Sequence, residues 1–130
     1  MYLIILLGMI FCHIIDDFYL QGILAQMKQK QWWVNNAPGD LYENDYKMAL
    51  ILHAFSWTCS ILIPIVMHIS YCGWYFNEIP LLIIFMSNWL IHLIIDDLKA
   101  NKHKINLCVD QTIHLIQIII TWSLYYKAVV

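Results

Sequence analysis

No arginine occurs anywhere in this chain of 130 residues, and only 12% of its residues are charged. With seven lysines, nine acids and a net charge of −2, nothing calls for a nucleic-acid partner, whose phosphates are met by dense basic surfaces. The four cysteines, Cys12, Cys59, Cys72 and Cys108, form no C-x-x-C pair. Neither a thiolate metal cage nor a disulfide framework is suggested, and cysteine reads as small apolar filler. Long polar stretches are scarce too, which leaves no room for a separate soluble domain.

Apolar residues are plentiful: 62% of the chain is hydrophobic and the mean hydropathy is +0.64. Soluble domains of this size rarely look like that. A hydrocarbon core roughly 30 Å thick needs about 20 apolar residues in a helix. Four segments qualify, about Tyr2 to Leu24, Met48 to Tyr71, Ile79 to Leu98 and Ile105 to Tyr126. The expectation is an all-α chain, a single integral membrane domain over residues 1–130 folded as a four-transmembrane-helix bundle. The first segment lacks the basic start and the small-x-small cleavage site of a secretory signal and carries His13, Asp16 and Asp17, so it reads as a true span.

The lysines set the orientation. Lys28, Lys30 and Lys47 fall between spans one and two, Lys99, Lys102 and Lys104 between spans three and four, and Lys127 alone lies at the other side. By the positive-inside rule the loops 25–47 and 99–105 are cytoplasmic, with both termini and the loop around Cys72 to Glu78 outside. The longer loop offers Trp32 and Trp33 to the headgroup layer and a turn at Pro38-Gly39. A bend near Gly22 leading into a short interfacial segment is expected before that turn. Tyr46 and Lys47 anchor the start of span two, and Tyr71, Trp74 and Tyr75 mark its outer end. Pro64 is expected to kink span two, whereas Pro80 sits harmlessly in the first turn of span three.

His13-Ile-Ile-Asp16-Asp17 echoes His92-Leu-Ile-Ile-Asp96-Asp97, which suggests two parallel-repeat helical hairpins. In each case an imidazole and carboxylates stand inside an apolar span. Such groups are expensive in a bilayer and mark function by default. With about 1.5 Å of rise per residue, His13, Asp17, His53, His92, Asp96, Asp110 and His114 all fall within roughly the inner 15 Å of the membrane. His13, Asp17 and Gln21 are spaced i, i+4, i+8; His92, Asp96 and Lys99 i, i+4, i+7; Asp110 and His114 i, i+4. Each set therefore shares a helical face. Asp16 and Asp97 are rotated about 100° from their neighbours and read as supporting or interfacial groups.

Imidazole nitrogens and carboxylate oxygens are what zinc or a similar divalent metal takes, and a metal offsets buried acids that have one nearby lysine, Lys99. The competing reading is that these groups only hydrogen-bond to one another and fix helix register. That reading is preferred for His68 and His103, which stand alone, while Trp57 and Trp89 read as packing residues.

Taken in order, His13-x-x-x-Asp17-Phe18-x-Leu20-Gln21, Leu52-His53, His92-x-x-x-Asp96 and Asp110-Gln111-x-x-His114 resemble the small phage and bacterial membrane family known as domain of unknown function 3307. That family is similar in style to membrane-bound metal-dependent hydrolases of the YdjM type. The resemblance implies a four-helix inner-membrane protein whose histidines and aspartates form a metal site. It supplies no substrate, and the doubled acids Asp16 and Asp97 depart from its pattern, leaving open the choice between Asp96 and Asp97.

The function expected is an intramembrane metal-dependent hydrolase opening to the cytosolic leaflet and acting on a lipid or lipid-linked ester or phosphoester. The seven histidines and aspartates above would hold the metal, with one of Asp17, Asp96 and Asp110 as general base. Gln21, Gln111 and Lys99 would orient substrate. A proton or cation path is the alternative, disfavoured by an outer half with only His68, Ser60 and Ser87, unless a homo-oligomer encloses it. A third reading is a phage factor that binds a host protein through its tryptophan-rich loop.

Overall fold

In the computed structural model the described residues, 2–72 and 78–129, are helical almost throughout. Helix α1 (Tyr2–Ile15) runs into a single π-helical turn, Asp16–Leu20. Two short helices come next, α2 (Leu24–Met27) and α3 (Lys30–Asn36), and then three long ones, α4 (Asp45–Cys72), α5 (Glu78–Ala100) and α6 (Leu107–Val129). Four stretches, Tyr2–Leu20, Asp40–Cys72, Ile79–Ala100 and Leu107–Ala128, are long and apolar enough to cross a membrane. The expected outer markers Trp74 and Tyr75, with the loop joining α4 to α5, lie outside the described residues.

The first span ends at Leu20 rather than Leu24. Beyond the π turn the chain turns at Gly22, whose φ of +44° is a left-handed conformation open to glycine. It then enters the short segment α2–α3, whose corner is locked by Trp33 Nε1 donating to the Met27 carbonyl at 2.7 Å. Asn101, just past α5, donates from Nδ2 to the Lys28 carbonyl at 3.1 Å and accepts from the Lys30 amide at 2.7 Å, fastening this segment across the bundle end. Asn106 caps α6 by accepting from the Val109 amide at 2.9 Å.

Helix α1 packs on α4, α4 on α5, α5 on α6 and α6 back on α1, a closed up-and-down four-helix arrangement. Its polarity is inverted relative to a water-soluble bundle. Among the described residues, buried polar side chains outnumber buried apolar ones, while Leu3, Leu7, Phe11, Met67 and Ile120 face outward. That pattern suits lipid, where apolar surface carries no penalty and small residues let backbones approach. Gly8 on α1 is such a residue: a Cβ there would lie 3.2 Å from Cγ of Pro64 on α4. One end of the interior is dry, with Met9, Ile61, Ile65 and Ile118 essentially without exposure. The other end holds the histidines and acids.

Candidate functional site

The π turn decides how α1 presents its acids. A helix bonded i to i+5 aligns residues five apart instead of four, so Gln21 falls in line with Asp16, not with His13 and Asp17. Gln21 Nε2 donates to Asp16 Oδ2, and Ser56 and Ser60 of α4 donate to Oδ1 at 2.9 and 2.8 Å. Asp16, 1% exposed, is thus a buried anchor between α1 and α4. Gln21 serves that anchor and also approaches the His53 carbonyl at 3.4 Å, both through Nε2, while its Oε1 has no hydrogen-bond partner among the described residues.

His13 shows how the network fixes a tautomer. The indole N–H of Trp57 can only donate, and it donates to His13 Nδ1 at 2.7 Å. The hydrogen therefore sits on Nε2, which faces Gln111 Oε1 at 3.1 Å. Gln111 Nε2 then donates to Asp17 Oδ2 at 2.8 Å and to Asp110 Oδ2 at 3.0 Å. Both nitrogens of His13 are in use, so it stands as the support of Gln111, and Gln111 as the bridge between two acids on different helices.

Lys28 enters the cluster from the loop segment. Its ammonium lies 2.7 Å from His53 Nε2 and 2.6 Å from Asp96 Oδ2, deep in the bundle. The sequence expectation of Lys99 as the lone nearby cation is corrected here: Asn101 draws the Lys28 backbone inward and its side chain reaches the acids. Lys99 pairs with Asp110 Oδ2 at 2.6 Å. Asp97 faces the loop, bound by Lys102 at 2.7 Å and Asn101 at 3.0 Å, which leaves Asp96 as the acid inside.

His92 and His114 close the site. The His92 ring is stacked on Trp57 and tilted by 30° against His114, with centroids 4.1 Å away in each case. It is fully buried, and among the described residues neither of its nitrogens has a hydrogen-bond partner. Gln117 holds His114: its Nε2 donates to the Asn88 carbonyl at 3.2 Å, so its Oε1 is the atom facing His114 Nδ1 at 3.0 Å, and Nδ1 must carry hydrogen. The Nε2 lone pair of a neutral His114 then points at Asp96 Oδ1 and Asp110 Oδ1, each 3.4 Å distant. His92 Nε2 is 3.6 Å from Asp96 Oδ2 and His53 Nε2 is 3.5 Å from Asp17 Oδ1.

These donors can hold a metal ion in two overlapping groups, Asp17 with His53 and His92, and His92 with Asp96 and His114. The fit is good on two counts. Ligands about 2.0–2.1 Å from a tetrahedral zinc stand about 3.3–3.4 Å apart, close to the 3.4, 3.5 and 3.6 Å of His114–Asp96, His53–Asp17 and His92–Asp96, while His53 Nε2 lies nearer to Asp96 Oδ2, at 2.7 Å. Four interior carboxylates, Asp16, Asp17, Asp96 and Asp110, meet two lysines, Lys28 and Lys99, an imbalance of two charges that one divalent ion would offset.

The family model described as protein of unknown function (DUF3307) matches residues 5–130. The chain belongs to the DUF3307 family. No curated protein and no solved structure matches it.

Within this DUF3307 chain, His53, His92, His114, Asp17 and Asp96 come together as donors, Asp110 adjoins them, and His13 stands behind Gln111. Sequence reasoning missed Lys28, Gln117 and the hydrogen bond from Trp57. Lys28 had one signal, the excess of acids over lysines near the inner level. Trp57 is one turn beyond His53, and Gln117 three residues beyond His114, spacings at which helical side chains meet. The half of the bundle away from the cluster is also less bare than expected, since Asn88 donates to Thr121 at 2.7 Å and His68 bonds Tyr125.

Proposed function

We propose that this chain is an intramembrane metal-dependent hydrolase acting at the cytosolic leaflet of an inner membrane on a lipid or lipid-linked ester or phosphoester. The observation that carries the reading is a gathering of buried ligand atoms that have no hydrogen-bond partner among the described residues: His114 Nε2, Asp110 Oδ1 and both nitrogens of His92. Buried polar atoms left this way cost about 1–3 kcal/mol each, and a cation removes the cost. His53, His92, His114 and Asp96 would hold the ion, with Asp17 and Asp110 beside them. A divalent metal, zinc by the nitrogen-and-oxygen donor set, supplies Lewis acidity when bound.

The chain's own groups do the remainder. Asp17, whose side chain is 7% exposed, lies at the edge of the cluster and takes a proton from attacking water as general base. Gln111, held by His13 and both acids, fixes that carboxylate, and Lys99 orients the substrate's anionic group. A proton or cation path finds less support, because the apolar layer of Met9, Ile61, Ile65 and Ile118 separates the cluster from the far end of the bundle. Elemental analysis of protein purified without chelator and supplied with zinc tests the reading. About one divalent ion per chain is expected, lost in His92→Ala while the helical circular-dichroism signal stays. Wild-type protein that takes up no divalent metal would overturn it.

A further inference from the structure

A groove of about 370 Å³ opens beside the cluster, between the ends of α1, α5 and α6 and the segment carrying Lys28. Asp17 and Gln111 lie on its cluster side, and Lys99 and His103 also line it. Phe18 and Leu107, lining the same groove, are 56% and 54% exposed, so its mouth is partly apolar. Lys99 gives one hydrogen to Asp110, and an ammonium has three; the side chain keeps 28% of its exposure. Lys28, by contrast, is occupied by His53 and Asp96.

His103 adds an independent sign. Its φ of +52° is left-handed, a conformation that glycine adopts freely and other residues at a cost. Strain of this kind gathers at ligand sites, and His103 lines the groove. We propose that the groove binds the phosphate group of an anionic lipid, with Lys99 and His103 donating to phosphate oxygens and the acyl chain leaving past Phe18 and Leu107. The proposal rests on the hydrolase reading, because Asp17 repels a phosphate unless a divalent ion stands between them. Free phosphate shares the headgroup chemistry, and the test separates the two sources.

The probes are dihexanoylphosphatidate, uncharged dihexanoylglycerol and inorganic phosphate, titrated into zinc-supplied protein in detergent and tracked by calorimetry. Phosphatidate is expected to bind about tenfold or more tighter than dihexanoylglycerol, as charge-assisted hydrogen bonds require. His103→Gly relieves the backbone and should leave the thermal midpoint no lower, yet weaken phosphatidate binding about fivefold to tenfold; His103→Glu should abolish it. Equal binding of dihexanoylglycerol, or unchanged affinity in His103→Gly, overturns the proposal. Inorganic phosphate binding as tightly as phosphatidate overturns its lipid half and assigns the groove to free phosphate. Metal content of the same samples separates the two readings. Metal-loaded protein without the phosphate preference removes this inference alone, whereas protein that takes up no metal removes both.

Discussion

Gln117 hydrogen-bonds His114 and the Asn88 carbonyl, and through them it decides what His114 can do. Because the Asn88 carbonyl accepts from its amide nitrogen, Gln117 offers His114 an oxygen, and the imidazole hydrogen is drawn to Nδ1. Partners of this kind orient ligating histidines, and losing one typically costs about 10–100-fold in metal affinity. Gln117→Leu should therefore lower zinc affinity by that order, measured by competition with a chelating dye. Gln117→Glu keeps an acceptor for Nδ1 and should retain most of the affinity. Equal loss in both variants would mean that Gln117 matters for packing alone. Asn88 reinforces the arrangement from α5, since its own amide is spent on the Ile84 carbonyl and Thr121.

At the scale of helices, α1 and α4 are held by two unlike devices. At one level Asp16 is clasped by Ser56 and Ser60; nearer the start of α1, Gly8 lies flat against the ring of Pro64. Overfilling a packed interior costs typically about 1–3 kcal/mol, so Gly8→Leu should destabilise the bundle by about that much in chemical denaturation. Gly8→Ala needs Pro64 to give by only tenths of an ångström and should sit near the low end. The reverse order would show that the two helices do not meet at Gly8. None of this was legible in the chain, because hydropathy marks where a span is and not which face it turns to a neighbour. The number of spans was legible, since composition alone sets it, but not their ends: the first stops at Leu20 and the second reaches back to Asp40. The i, i+4 pairs on α5 and α6 were readable for the same reason: those helices are regular through His92–Asp96 and Asp110–His114. The set on α1 was misread at Gln21 because a π turn leaves no mark in spacing. Lys28 was missed because a loop residue's reach depends on what ties the loop down, here Asn101.

For the molecule as a whole, the proposed function requires the cluster end of the bundle to face the cytosol. Lysine placement favours this even after the two lysines consumed inside are set aside. Lys28 and Lys99 neutralise Asp96 and Asp110, leaving Lys30, Lys47, Lys102 and Lys104 on the loops at that end against Lys127 at the other. Such loop lysines resist translocation, while acids contribute little to orientation. Lys102 and Lys127 are both exposed and stand at opposite ends, so each can carry a single engineered cysteine. In a background with the native cysteines replaced by serine, Lys127→Cys should react with a membrane-impermeant maleimide on intact cells. Lys102→Cys should react only after permeabilisation. The opposite pattern would turn the groove and its acids toward the outside, where a substrate of the cytosolic leaflet could not reach them. It would refute the proposed site of action while leaving the donor geometry untouched.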